Sequence, residues 1–213
     1  MEKEKPVQEK IARCIRGVGV MSKQEVLLRP IEKILQHINI TWFIRPSTSY
    51  VKHHLQGNLV VCEIGSYKGL NVLNMLHVLP IQMLYVVDPY TVYDDGSGSA
   101  KETQEQMNII FNDIKTKVKK YPVTFIRKYS NEAIDDIPMV DFCYIDGDHT
   151  YEWVKKDIEN YWPKIKEGGV LGGHDFTSRR IGLIRAVLEF VEKEEVSLLA
   201  EGSDWWVVKH GKN

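Results

Sequence analysis

The sequence predicts an α/β fold: a doubly wound, mostly parallel seven-stranded sheet, Rossmann-like, with helices on both faces and an antiparallel C-terminal hairpin. Three features predict it. From residue 57 onward, apolar runs of strand length alternate with segments whose apolar residues recur at helical spacing. The runs, of which LVVCEIG at 59–65 is the clearest, show no polar alternation, the pattern of strands covered on both faces. Successive strand–helix units need crossover connections, and those place the strands parallel. Before residue 57 the pattern is helical, so 1–56 is expected to be an N-terminal helical lid or cap and 57–213 the domain that carries the sheet.

In chain order, Val7, Ile11, Cys14, Ile15 and Val18 fall at helical spacing. Ser22 followed by Glu25 has the form of a capping box opening a second helix, whose apolar face continues through Ile31, Ile34, Leu35 and Ile38. Ser47 is expected to cap a short helix ending near Leu55. The strand at 59–65 follows, then a helix from about Gly69 to Val78, stopped by Pro80. A second strand spans 83–90, a flexible loop 94–99 and a helix from about Ala100 to Lys119. Strands at 123–130 and 139–148 come next. From Thr150 a helix places Val154, Ile158, Tyr161 and Ile165 on one stripe, and Gly168 with Gly169 is expected to end it. A fifth strand takes 170–176, and Ser178 caps a helix with Ile181, Ile184, Val187, Leu188 and Val191 facing inward. Runs at 196–202 and 204–210 form the closing hairpin around Gly202, Ser203 and Asp204. Alternation along the last strand sends one of Trp205 and Trp206 inward and the other outward.

Composition narrows the function classes. With 213 residues the chain is too short for two full-sized domains and long enough for one sizeable core. Its 43% hydrophobic and 27% charged residues argue against wholesale disorder or a fibrous chain. A formal net charge of -1 gives no global basic field, so no nucleic-acid partner is expected. No uninterrupted apolar run approaches the ~18 residues of a membrane span, so no membrane association is expected either. The start, MEKEKPVQEK, lacks the apolar core of a signal peptide, and three cysteines make no disulfide framework. A cytoplasmic protein with reduced core thiols is the expectation.

Chemistry-bearing residues collect where strands end, which in such sheets is where ligands sit. Glu63-Ile64-Gly65-Ser66-Tyr67-Lys68-Gly69 follows the first strand and opens a helix. Gly65 permits a sharp turn and close backbone approach of a ligand, and Gly69 permits tight helix packing. A dinucleotide loop would carry a middle glycine for the pyrophosphate; here Tyr67 and Lys68 fill that stretch, which suits a nucleoside ligand without a diphosphate. Asp88 ends the second strand, 19 residues after Gly69, where a carboxylate can accept from a ribose diol. Asp146 closes the fourth strand before Gly147-Asp148-His149, and His174-Asp175 closes the fifth. Adjacent strand ends bring Asp146 near His174 and Asp175, a carboxylate set with one imidazole that suits a hard or borderline divalent ion. Asp148, His149 and Thr150 compete as caps of the following helix.

Taken in order, E-I-G-S-Y-K-G, V-V-D-P-Y and Y-I-D-G-D-H-T-Y, with G-G-V-L-G-G-H-D-F and D-W-W-V-V-K, resemble a class I S-adenosylmethionine-dependent methyltransferase. Within that superfamily the chain is similar to the small branch of macrolide-sugar and cephalosporin-pathway O-methyltransferases, more distantly related to catechol O-methyltransferase. The resemblance covers about residues 57–210. It implies that Glu63 and the backbone around Gly65 and Ser66 hold the methionine part of S-adenosylmethionine, with Tyr67, Gly69 and Asp146 also among the cofactor-binding residues. It further implies that Asp88 binds the ribose, and that Ser130 and Asn131 lie near the adenine with Tyr90 lining the same pocket. For Ser130 a helix-cap role stands equally open.

Related metal-dependent enzymes use an acidic residue after the fourth strand and an acid or amide pair after the fifth. Asp146 and Asp175 match that plan, whereas His174 stands where an acidic residue is more usual. A Mg2+ or other divalent-metal site at Asp146, His174 and Asp175 therefore stands beside a metal-free alternative, in which His149 or His174 acts as general base. The expected activity is transfer of a methyl group to a hydroxyl of a small-molecule acceptor, with Asp146, His149 and His174 as the catalytic candidates. The alternatives are a nicotinamide-dependent oxidoreductase and a non-catalytic S-adenosylmethionine-binding protein. The N-terminal helices are expected to form a lid over the substrate end or a homodimer surface.

Overall fold

Residues 44–92 and 102–211 are described by the computed structural model. Helices expected within 1–43 and the loop at 94–99 lie outside the described residues. The strands are β1 (Leu59–Ile64), β2 (Ile81–Val87), β3 (Val123–Ile126), β4 (Val140–Ile145), β5 (Ile165–Gly173), β6 (Leu198–Glu201) and β7 (Asp204–Val208). The helices are α1 (Pro46–His54), α2 (Leu70–Val78), α3 (Gln104–Lys117), α4 (Tyr151–Tyr161) and α5 (Ile181–Glu194). They build one seven-stranded sheet in the order β3-β2-β1-β4-β5-β7-β6. Strands β1 to β5 run parallel, while β7 pairs antiparallel with both β5 and β6.

The apolar character of the strands has its cause in two cores, one on each face. Cys62, Ile64, Cys143, Ile145, Leu171 and Trp205 pack with Val154 and Ile158 of α4 and Leu183 and Val187 of α5. The intervening side chains, Val61, Phe142, Tyr144, Val170 and Trp206, pack with Val51 of α1, Met75 of α2 and Ile114 of α3. Since both faces are covered, neither tryptophan points to solvent: Trp205 is 1% and Trp206 6% exposed. The expectation of one outward ring fails because α1 covers that side, with Tyr50 lying 5.5 Å from the Trp206 ring.

Several boundaries move for local reasons. The compact unit that holds the sheet begins at Ile44, so the stretch before Gly57 contributes α1 to it. Pro46, not a capped Ser47, starts α1; the N-cap position is Arg45, and Ser47 turns its hydroxyl to Asp204. Thr103 caps α3 through a capping box with Gln106, so this helix opens after the expected Ala100. Ser178 caps nothing, because α5 begins at Ile181. Gly168 and Gly169 fall inside β5 rather than at a helix end: a Pro163-bearing 3-10 turn at Trp162–Lys164 closes α4, and the strand starts directly after it. The β4–β5 register shifts across this stretch. A side chain at Gly169 would stand 2.9 Å from the Asp141 carbonyl oxygen, so glycine permits the close pairing there.

The strand order reverses between β1 and β4, whose neighbours on the other side are β2 and β5. In open α/β sheets a crevice forms outside the carboxyl ends at this switch point, and the candidate site lies there.

Candidate functional site

A cleft of about 720 Å³ runs along the carboxyl ends of β1, β2 and β4. Its floor is the loop after β1. Glu63 is 1% exposed, and burial raises its carboxyl to about 8. Asn71 of α2 donates to Oε1 at 2.8 Å, while the buried Oε2 has no hydrogen-bond partner among the described residues. Gly65 has φ +80, and a Cβ there would stand 2.4 Å from the Asp146 carbonyl oxygen. Only glycine lets the β1 and β4 loops approach this closely.

Asp88 organises that loop. Its Oδ2 accepts from the backbone amides of Ser66 and Tyr67, each at 2.9 Å, and its Oδ1 from the amide of Tyr90 at 2.7 Å. Three of roughly four acceptor positions are thus occupied by the protein itself. Ser66 Oγ and the Tyr90 hydroxyl lie 2.6 Å apart, and burial pushes the Tyr90 phenol up. Tyr90 is fully buried and supports the loop from beneath rather than lining the cleft. Tyr67 does line it, and its hydroxyl donates to Glu102. Gly69 serves the turn and its packing: it sits at φ +70, and a Cβ would collide with Ile114 of α3.

Towards β3 and α4 the cleft is lined by Tyr129, Ser130, Trp153 and Asp157. Tyr129 and Trp153 present nearly parallel rings, 6.2 Å between centroids and 24° between planes. Ser130 opens a 3-10 turn, but its hydroxyl donates to Asp157 Oδ1 instead of capping that turn. The Tyr161 hydroxyl donates to the Ser130 carbonyl at 2.8 Å. Asp157 is 2% exposed, and burial lifts its carboxyl to about 7. Asn131, the neighbour of Ser130, is half-buried and does not line the cleft.

At the ends of β4 and β5 charged side chains converge. His149 Nε2 lies 2.9 Å from Asp175 Oδ2 and 3.5 Å from Asp146 Oδ1. His174 Nδ1 lies 3.4 Å from Asp175 Oδ2 and 3.8 Å from Asp146 Oδ1. Burial alone would lower the His149 imidazole; the contacts with Asp146 and Asp175 outweigh it and raise the group to about 9. The same two histidines hold the Asp175 carboxyl well below the usual carboxylate range. Ligand atoms of Asp146, His149 and Asp175 lie within 4.8 Å of one another, which puts His149 in the trio where the sequence reading put His174. Two carboxylates and an imidazole at that spacing fit a divalent cation. Asp175 sits at φ 57, a left-handed backbone that is uncommon for non-glycine residues and that aspartate adopts more readily than most.

Among the cleft residues that sequence reasoning missed are Arg45, Met107, Trp153 and Asp157. Each comes from a helix, or from the residue before one, and none lies in a strand-end motif. The convergence of Arg45 with Asp146, at 3.7 Å, joins positions a hundred residues apart and leaves no local signal.

A family model described as a methyltransferase domain matches residues 62–176, just over half of the chain. Uncharacterized protein R132 of Acanthamoeba polyphaga mimivirus is 28% identical over 129 residues, 58% of this chain. The chain spans about half of that relative, 54% of its length. Among solved structures, the calicheamicin methyltransferase CalS11 superposes with a TM-score of 0.60 at 13% identity, covering 91% of this chain and 95% of that one. MycE, from the mycinamycin biosynthetic pathway and solved with Mg and S-adenosylhomocysteine, superposes with a TM-score of 0.50 at 15% identity, covering 79% and 50%.

Proposed function

We propose that this chain, which belongs to the methyltransferase-domain family, is an S-adenosylmethionine-dependent methyltransferase that places the methyl group on a hydroxyl oxygen of a small-molecule acceptor. One observation carries the hydroxyl reading: Asp146 and His149, which line the cleft at the end of β4, converge with Asp175 beside it. CalS11 is described as a TDP-rhamnose 3'-O-methyltransferase, which supports a hydroxyl acceptor on the same fold.

The residues present fit the cofactor. The unpartnered buried oxygen of Glu63 asks for a cationic donor, and an ammonium would satisfy it. Gly65 keeps open the approach that any side chain would fill. Asp88 has acceptor capacity left for one ribose hydroxyl rather than two, because three amides already hold it. Ser130 and the Tyr129–Trp153 pair provide a polar group and ring faces for a planar base. When bound, S-adenosylmethionine supplies a methyl carbon made electrophilic by the adjacent sulfonium.

The chain's task is then to align the acceptor oxygen with that carbon, exclude water and take up the hydroxyl proton; alignment alone can contribute roughly 7–11 kcal/mol. Asp146, His149 and Asp175 would hold a divalent cation, which would make the hydroxyl more acidic. His174, packed against the same two carboxylates, orients them. A metal-free second reading is favoured by the 2.9 Å contact between His149 and Asp175, in which the carboxylate orients the imidazole; because that contact also keeps His149 protonated below about pH 9, it acts as general base once that proton has left. Buried free Cys62 and Cys143 agree with a reducing, cytoplasmic setting. Among the described residues no helix is long and apolar enough to cross a membrane.

The deciding measurement is calorimetric titration with S-adenosylhomocysteine and, in parallel, NAD. Micromolar binding of the first and none of the second is expected; the reverse would end the methyltransferase reading. Turnover that survives exhaustive chelation and is not raised by added Mg2+ would leave the general-base form standing.

A further inference from the structure

We propose that Arg45 is a carboxylate-binding residue, and that it takes the α-carboxylate of the cofactor's amino-acid head while Glu63 takes the ammonium. The proposal rests on the methyltransferase reading and deepens it.

Arg45 has an extended backbone, φ -60 and ψ 140, immediately before Pro46 starts α1. That helix is fastened to the sheet by Ser47, whose amide and hydroxyl both donate to Asp204 at the start of β7. Asp204 is 1% exposed and also accepts from the Tyr144 hydroxyl of β4 at 3.0 Å. The anchor therefore fixes the Arg45 backbone beside the carboxyl end of β4. Its guanidinium lies 3.7 Å from Asp146 Oδ2 and 3.8 Å from Asp204 Oδ1. Both separations exceed an N–H···O hydrogen bond, so neither carboxylate occupies the planar fork of donors that suits a bidentate carboxylate. Arg45 lines the cleft together with Glu63 and Asp146.

The charges around it choose the ligand. An α-amino-acid head carries a positive and a negative group a few ångströms apart. Glu63, with its free buried oxygen, pairs with the ammonium in its ionised form. The carboxylate would then face two acidic side chains, Glu63 and Asp146, and needs a cation to be held there at all. Two arginine or lysine residues line the described cleft, Arg45 and Lys68. Lys68 is exposed, with its ammonium over the Tyr67 ring at 4.8 Å. Arg45 is close enough to Glu63 for its charge to oppose the effect of burial on that carboxyl. A buried acid and a tethered guanidinium thus form a two-point receptor for a zwitterion.

The test compares two ligands in titration calorimetry: S-adenosylhomocysteine, which carries the amino-acid head, and 5'-methylthioadenosine, which lacks it. In Arg45→Gln, S-adenosylhomocysteine is expected to weaken roughly 30-fold or more, the loss typical when a charge partner is removed, while methylthioadenosine binding stays within twofold of wild type. Arg45→Lys, which keeps the charge but not the fork, should recover part of the loss. Equal weakening of both ligands would make Arg45 a structural anchor and overturn the proposal. No weakening of either would assign the guanidinium to something else, such as an anionic acceptor, and overturn it too. Failure of the wild-type protein to bind either ligand is a separate result, which removes the methyltransferase reading itself.

Discussion

The two ends of the cleft are built from different materials. At the β1–β2 end the groups that shape the site are mostly backbone: three amides point at Asp88, and Gly65 meets the β4 loop with no room for a Cβ. At the β4–β5 end they are side chains in mutual ion-pair contact, His149, His174, Asp146 and Asp175, with Asp175 on a left-handed turn. Backbone-built sites tolerate little change and recognise a constant ligand. Side-chain-built sites can be rewired one residue at a time, and chemistry varies there on a common scaffold.

Substitutions at the two ends should therefore separate binding from turnover. The largest effect is expected from Asp175→Asn, which removes a charge from the convergent trio while preserving shape and does not touch the cofactor cleft. Methyl transfer should fall by roughly 100-fold or more, with the S-adenosylhomocysteine dissociation constant within about threefold of wild type. A comparable loss of binding would erase the distinction between the ends. Gly65→Ala is the counterpart at the other end. The added methyl group meets the Asp146 carbonyl at 2.4 Å and φ +80 disfavours any side chain, so stability should drop by roughly 2–4 kcal/mol in urea unfolding, with cofactor binding abolished.

A smaller change is expected for Asp88→Asn, which keeps the size but replaces one acceptor oxygen by a donor facing backbone amides. A cost of roughly 1–3 kcal/mol in stability follows from the unsatisfied groups, together with a tenfold or greater loss of S-adenosylhomocysteine affinity. Retained wild-type stability would show that the loop does not depend on this carboxylate.

The mildest probe is pH. In the free protein Glu63 has its carboxyl raised to about 8, so it is protonated at neutral pH, and pairing with an ammonium requires the ionised form. Binding therefore releases a proton below about pH 8. Affinity for S-adenosylhomocysteine should rise with pH from 6 towards 8, by at most about tenfold per unit, and level off above. Binding enthalpies measured in buffers of different ionisation heat should report that proton, and Glu63→Gln should abolish the effect. A flat profile in the wild-type protein would mean that Glu63 does not change protonation on binding.

How far the site can be read from sequence differs in the same way between its parts. Gly65, Asp88, Asp146 and Asp175 are legible because each sits where an apolar run stops, and the ends of parallel strands meet along one rim. Ser47 and Ser178 look like caps in the sequence and cap nothing, because a Pro46 start and a late α5 make those caps unnecessary. Trp206 reads as an outward residue on an edge strand; only the packing of α1 reveals it as core. Asp157 reads as one more polar position on α4. Its burial and its bond to Ser130 depend on how deeply that helix seats against the sheet.

By itself the sequence determined the alternation of elements, the doubly wound class and the acidic and glycine positions at strand ends. All three follow from local rules, since periodicity and turn chemistry act over a few residues. Tertiary structure alone decided the partner of each acid: His149 rather than His174 completing the trio with Asp146 and Asp175, Arg45 beside Asp146, and Ser47 on Asp204. Apart from His149 with Asp146, three positions away, those pairings join residues from 26 to 157 positions apart. Burial and Coulomb forces act through space, so the distances that set charge and ligand choice exist only once the helices have packed on the sheet.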